Sequence, residues 1–159
     1  MTINTERLRL EPITPAYAAR VVAGTPAAGD DWHPEYPFAD EVGALRSLIA
    51  HPQQDPFFTL YVVRTISDGL AIGGIGFSGP LDDDGRVDIG YGLVAAARGA
   101  GIATEALRAA TDAAAVHGAR TVGADTLLDN VASQRVLEKA GFAEVRRTAD
   151  LVYFERTFA

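Results

Sequence analysis

The sequence predicts one mixed α+β domain over residues 1–159, a sheet of mixed strand direction with helices on its faces. Short alternating apolar runs joined by turn residues recur before residue 95. At residues 101–117 the period becomes helical and alanine dominates. A strand and a second helix follow, so a β-α-β unit succeeds the meander and introduces a parallel crossover.

Taken in order, residues 7–13 alternate as a strand. Thr14-Pro15 reads as an N-cap followed by proline at the first helical position, with Gly24 closing the helix. Residues 25–38 form a loop rich in Gly, Pro, Asp and aromatics, and Asp40 opens a second helix to Ala50. Two strands, 57–65 and 70–77, join through Ser67-Asp68-Gly69, and Asp82-Asp83-Asp84-Gly85 leads to a strand at 87–94. The 101–117 helix stops at Gly118. Residues 121–127 form a fifth strand, 131–140 a helix ended by Gly141, and 142–147 and 151–157 the last two strands.

A net charge of −7 excludes a broad basic face for nucleic acid, but leaves room for a small anion at a helix N-terminus. The absence of cysteine excludes disulfides, thiolate metal sites and a covalent cysteine mechanism. His33, His51 and His117 lack ligand spacing, so no metal is predicted. Met1 to Arg7 lack the apolar core of a signal peptide and no apolar run reaches membrane-spanning length, so the expected location is the cytoplasm, with no membrane partner.

Two glycine motifs compete for a phosphate. Gly74, Gly76 and Gly79 spell G-x-G-x-x-G, but Pro80-Leu81 and an acidic turn follow where a dinucleotide site needs a helix. They are read as strand packing and a turn. Arg98-Gly99-Ala100-Gly101-Ile102-Ala103 instead follows a strand and opens the alanine-rich helix, where free N–H groups converge and Arg98 adds positive charge.

That second segment resembles the Q/R-x-x-G-x-G/A acyl-CoA loop of the GNAT N-acetyltransferases. Asp88-Ile89-Gly90-Tyr91 is similar to the strand that precedes it in the family, and the run from Asn130 to Phe142 resembles the second signature, N-x-x-S-x-x-x-x-x-x-x-G-F. Thr5-Glu6-Arg7-Leu8-Arg9-Leu10 resembles the branch containing ribosomal-protein N-terminal acetyltransferases.

The resemblance implies a mostly antiparallel sheet splayed between the fourth and fifth predicted strands, 87–94 and 121–127, with acetyl-CoA in the splay. The pyrophosphate would meet the N–H groups of residues 99–104 (Gly99, Ala100, Gly101, Ile102, Ala103 and Thr104), and the pantetheine would follow Tyr91, Gly92, Leu93 and Val94. Arg98, Asn130 and Arg135 complete the expected coenzyme contacts. The function implied is direct acetyl transfer to a primary amine, on a peptide N-terminus or a small molecule. The other reading is a non-catalytic acyl-CoA sensor or scaffold. A homodimer is compatible with either.

An amine attacks only when neutral. At pH 7 deprotonation costs roughly 4–5 kcal/mol for a lysine-like amine and about 1 kcal/mol for an α-amine, so a base is wanted. Asp125, five residues before Asn130, stands where relatives carry a catalytic glutamate, and Asp88 offers a second carboxylate. Each equally suits a cross-strand or capping hydrogen bond. Relatives also use a tyrosine acid seven residues after the asparagine, but Leu137 stands there and Ser133 becomes the candidate proton donor to the sulfur. Trp32, His33 and Tyr36 in the aromatic loop are the expected acceptor wall.

Overall fold

Alternation and helical period resolve into eight strands and four α-helices in the computed structural model, which describes residues 1–52 and 55–159. They are β1 (Ile3–Asn4), β2 (Leu8–Pro12), α1 (Pro15–Ala23), α2 (Ala39–Ala50), β3 (Leu60–Thr65), β4 (Ala71–Phe77), β5 (Arg86–Leu93), α3 (Ile102–Val116), β6 (Thr121–Leu127), α4 (Val131–Lys139), β7 (Ala143–Arg147) and β8 (Leu151–Thr157). The sheet order is β1-β2-β3-β4-β5-β6-β8-β7. The fold is the mixed α+β architecture read from the sequence.

Local chemistry sets most boundaries. Thr14 caps α1 through its hydroxyl, which accepts from the Tyr17 N–H at 3.1 Å. β3 begins at Leu60 rather than at residue 57, because the Asp55 carboxylate accepts from the N–H groups of Phe57 and Phe58 and turns the chain there. β1 pairs only Ile3 and Asn4 with Leu10 and Arg9, too short a stretch for periodicity to reveal. β7 is wholly exposed at the sheet's edge, where Glu144, Arg146 and Arg147 discourage a further strand from docking.

β3 and β4 are covered on both faces, which explains their near-continuous burial. On one side α1 packs on α2, and α2 lays Glu41 over Gly74 of β4. On the other, α3 packs against α4 and crosses β1, β2 and β5. Tyr61, Phe77, Phe154, Leu10, Leu107 and Leu137 are among the fully buried side chains that fill the space between. No helix among the described residues is long and apolar enough to cross a membrane.

One seam of the sheet closes only part of the way. β5 and β6 pair in parallel only at Arg86↔Thr121, Val87↔Val122 and Asp88↔Gly123. Beyond Asp88, β5 stays with β4 as far as Leu93, while β6 stays with β8 as far as Leu127. The two strands therefore diverge and leave a wedge between them.

β4 and β5 approach too closely for side chains at some positions. A Cβ on Gly73 would lie 2.2 Å from the Gly92 carbonyl oxygen and 2.8 Å from Leu93 Cδ2. Backbone cannot yield cheaply, so Gly73→Ala should destabilise the fold by about 1–3 kcal/mol. A lowered denaturation midpoint checks this, and an unchanged midpoint would mean that the two strands separate freely.

Candidate active site

Two cavities adjoin where β5 parts from β6. One, about 520 Å³, lies between the end of β5, the turn into α3 and the start of α4. The other, about 440 Å³, lies between α2 and the β4–β5 surface. Phe38, Asp40 and Tyr91 line both.

The larger cavity is built around residues 98–104. Gly101 is the N-cap of α3 at φ 78°, and Gly99 sits at φ 81°; both are left-handed conformations that a residue with a Cβ rarely adopts. That path leaves the N–H groups of Gly99, Ala100 and Gly101 without an acceptor among the described residues. The first-turn N–H groups of α3 join them by helix geometry. Arg98 donates from Nε to the Leu93 carbonyl at 3.1 Å, fastening the loop to β5. From the other side Arg7 donates to the Ala100 carbonyl at 2.9 Å and pairs with Glu105 at 2.7 Å. Burial raises the Glu105 carboxyl, but the donors Thr5 and Arg7 outweigh it and hold the group below its ordinary range. Arg98, Arg135 and Lys139 supply positive charge to the lining. Bare N–H groups at a helix start, glycines and three cations fit a diphosphate and a further phosphate.

Across the wedge, Asn130 caps α4 by accepting from the Ser133 N–H at 3.1 Å. The Ser133 hydroxyl lies 2.7 Å from the Tyr91 hydroxyl, so a residue on β5 and one on α4 close the gap between the diverging elements. Burial raises the Tyr91 phenol, and the hydrogen bond to Ser133 partly opposes this. Leu137 is fully buried and contributes only packing.

The smaller cavity is carved by missing side chains. In the β4–β5 register Gly74 faces Gly92 and Gly76 faces Gly90. A Cβ at Gly74 would meet the Glu41 carboxylate at 2.5 Å, and one at Gly92 would strike the Phe38 ring at 2.3 Å. Gly74 thus makes room for α2, and Gly92 for the loop before it. Asp88 and Asp125, the sequence-predicted bases, line this cavity but are exposed, and Asp88 pairs with Arg86 at 3.1 Å.

Glu41, which sequence reasoning missed, is 4% exposed in the same wall. Its Oε1 accepts from the Tyr36 hydroxyl at 3.2 Å, and Tyr36 accepts from Tyr17 at 3.0 Å. Its Oε2 is buried with no partner among the described residues. Burial pushes its carboxyl up to about 7, against the opposing hydrogen bond from Tyr36. One signal for it exists in the sequence. Glu41 falls on the same helical stripe as the buried Leu45 and Leu48, a carboxylate where apolar residues belong.

The structure brings together Tyr91, Gly92, Leu93, Arg98, Gly99, Gly101, Ile102, Ala103, Thr104, Asn130, Ser133 and Arg135 along one groove. Val94 does not line it, because the residue is buried and donates its N–H to the Ile72 carbonyl. Ala100 does not line it either; its carbonyl turns to Arg7. The expected acceptor wall differs as well. Trp32 bridges to Ala71, His33 donates its N–H to the Ala71 carbonyl, and Tyr36 is buried behind Glu41, so none of the three lines the smaller cavity. The aromatic loop folds inward against β4, and Phe38 and Glu41 take the wall instead.

Known proteins match this architecture. The chain resembles the GNAT-family acetyltransferase from Bacillus anthracis with a TM-score of 0.71 and 19% identity, covering 99% of this chain and 98% of that one. It resembles RimL, a ribosomal alpha-N-protein acetyltransferase solved with coenzyme A, with a TM-score of 0.74, 19% identity and coverage of 99% and 98%. A ribosomal-protein-serine acetyltransferase structure from Vibrio cholerae gives 0.69 and 16% identity over 99% and 97%. At these identities the likeness speaks for the fold. No curated protein matches the sequence. The acetyltransferase (GNAT) domain profile, however, matches residues 7–143, nearly the whole chain, and so this protein belongs to the GNAT acetyltransferase family.

Proposed function

We propose that the protein transfers acetyl from acetyl-CoA to a primary amine within a ternary complex. One observation carries the reading: two cavities of opposite charge meet at a shared wall. Arg98, Arg135 and Lys139 line the groove suited to a phosphorylated coenzyme. Asp40, Glu41, Asp88 and Asp125 line the other cavity, which has no Lys or Arg among its lining residues and suits a cation.

Acetyl-CoA supplies an activated acyl group, and the chain's residues hold and orient it. The N–H groups of Gly99 and of residues 101–104 hold the pyrophosphate, Arg98 and Arg135 balance its charge, and Gly92 and Leu93 offer backbone to the pantetheine. Asp88 and Asp125, at the open side, draw an ammonium inward. The Tyr91–Ser133 hydroxyl pair stands at the junction and gives a proton to the departing thiolate. Likeness to ribosomal-protein acetyltransferases puts a peptide α-amine first among acceptors, ahead of small amines such as polyamines or antibiotics.

An acceptor panel of both kinds, read by thiol release and by the mass of one added acetyl, tests the reading. Turnover with at least one amine is the expected result. Saturable coenzyme binding with no turnover across the panel would overturn it in favour of a sensor. Ser133→Ala should lower kcat by about 10²-fold or more while leaving coenzyme affinity within a few-fold. Equal kcat in variant and wild type would remove the hydroxyl from the reaction.

A further inference from the structure

We infer that Glu41 is the general base of this site, receiving the proton of the acceptor ammonium on its carboxylate. The inference deepens the proposed amine acetylation and rests on it.

The cavity offers three other carboxylates. Asp88 is 63% exposed at its side chain and already paired with Arg86, and Asp40 and Asp125 are exposed as well. Glu41 alone combines burial with an unpartnered oxygen, a combination that a folded protein rarely tolerates without a use for it. Its position is fixed from both sides. Gly74 leaves the space that the carboxylate fills, and the Tyr17–Tyr36 hydroxyl chain donates to Oε1 and leaves Oε2 free. Gly74, which Glu41 covers, pairs with Gly92 at the groove-lining end of β5.

The groups facing Glu41 are Tyr36 from the loop and Tyr17 from α1, with Asp40, Tyr61, Asp88, Tyr91 and Asp125 around the same cavity. None is cationic. Burial raises the Glu41 carboxyl, and an arriving ammonium favours its ionised form.

The step balances without a further reactant. The ammonium gives one proton to the Glu41 carboxylate, and the freed lone pair forms the C–N bond as the acetyl C–S bond breaks. The thiolate takes the electron pair and, through Ser133, the second amine proton. Glu41 then releases its proton to water when product leaves.

Steady-state rates with an accepted amine, measured from about pH 5 to about pH 9, test the assignment in wild type, Glu41→Gln and Tyr36→Phe. Wild-type kcat/KM should rise through a limb near the Glu41 value of about 7. Glu41→Gln should lose that limb and about 10²–10⁴-fold in kcat, with coenzyme affinity unchanged as proof that the groove is intact. Tyr36→Phe removes the hydrogen bond that favours the carboxylate, so its limb should move to higher pH. A carbon-13 titration of the Glu41 carboxyl should follow the same shift without any turnover. A Glu41→Gln enzyme that keeps wild-type rate and limb overturns this inference while leaving amine acetylation standing. A wild type that acetylates no amine overturns both.

Discussion

Gly101→Glu should abolish acetyl-CoA binding while the protein stays folded. Gly101 holds a left-handed φ of 78° at the start of α3, so any side chain there costs about 1–2 kcal/mol in backbone strain. Space is not the obstacle, since the nearest atom to an added Cβ is Arg7 Nη2 at 3.6 Å. A carboxylate at a helix N-terminus is also favourable to the helix by roughly 0.3–1 kcal/mol, which offsets part of the strain. Ligand binding has no such compensation. The new carboxylate occupies the N–H groups intended for the pyrophosphate and repels it. Losing two charge-assisted hydrogen bonds at about 1.5–3 kcal/mol each lowers affinity by at least about 100-fold. Calorimetric titration with coenzyme A, beside a thermal melt, checks both halves. Wild-type affinity in the variant would move the diphosphate elsewhere.

The second large effect runs through Glu41 and concerns stability. Its carboxyl lies at about 7 in the folded chain against an ordinary 4.5. Between those values the folded state keeps a proton that the unfolded chain has released. Stability therefore falls as pH rises from about 4.5 to about 7 and stays reduced above that window. The shift corresponds to about 3 kcal/mol. Glu41→Gln cannot titrate, so it should match wild type near pH 4.5 and exceed it by up to about 3 kcal/mol above pH 7. For a chain of this length each kcal/mol moves the melting midpoint by roughly 2–4 °C. Midpoints of both proteins that run parallel across the window would show that Glu41 is not the group carrying the penalty. A variant both steadier and slower is the pattern of a residue kept for its chemistry.

Periodicity placed every element except β1, because a helix of fifteen residues or a seven-residue strand repeats its pattern often enough to read. Two residues of β1 repeat nothing. The groove was legible because its parts are continuous in sequence: one glycine turn, one strand end, one capped helix. The smaller cavity was not. It depends on Gly74 meeting Glu41 and Gly92 meeting Phe38, contacts between residues 33 and 54 positions apart that only the packed sheet brings together. The aromatic loop misled for the same reason. Trp32 and Tyr36 suggested an open binding surface, whereas the fold needed them as cover for β4.

The brief parallel ladder of Arg86 to Asp88 has a consequence for how such a protein can change. Ahead of that seam lie most of the residues that line the smaller cavity, and beyond it nearly all of those that line the groove. Under the proposed function, substitutions on α2 should alter acceptor selectivity more than coenzyme binding, so the two properties drift largely on separate halves of one polypeptide.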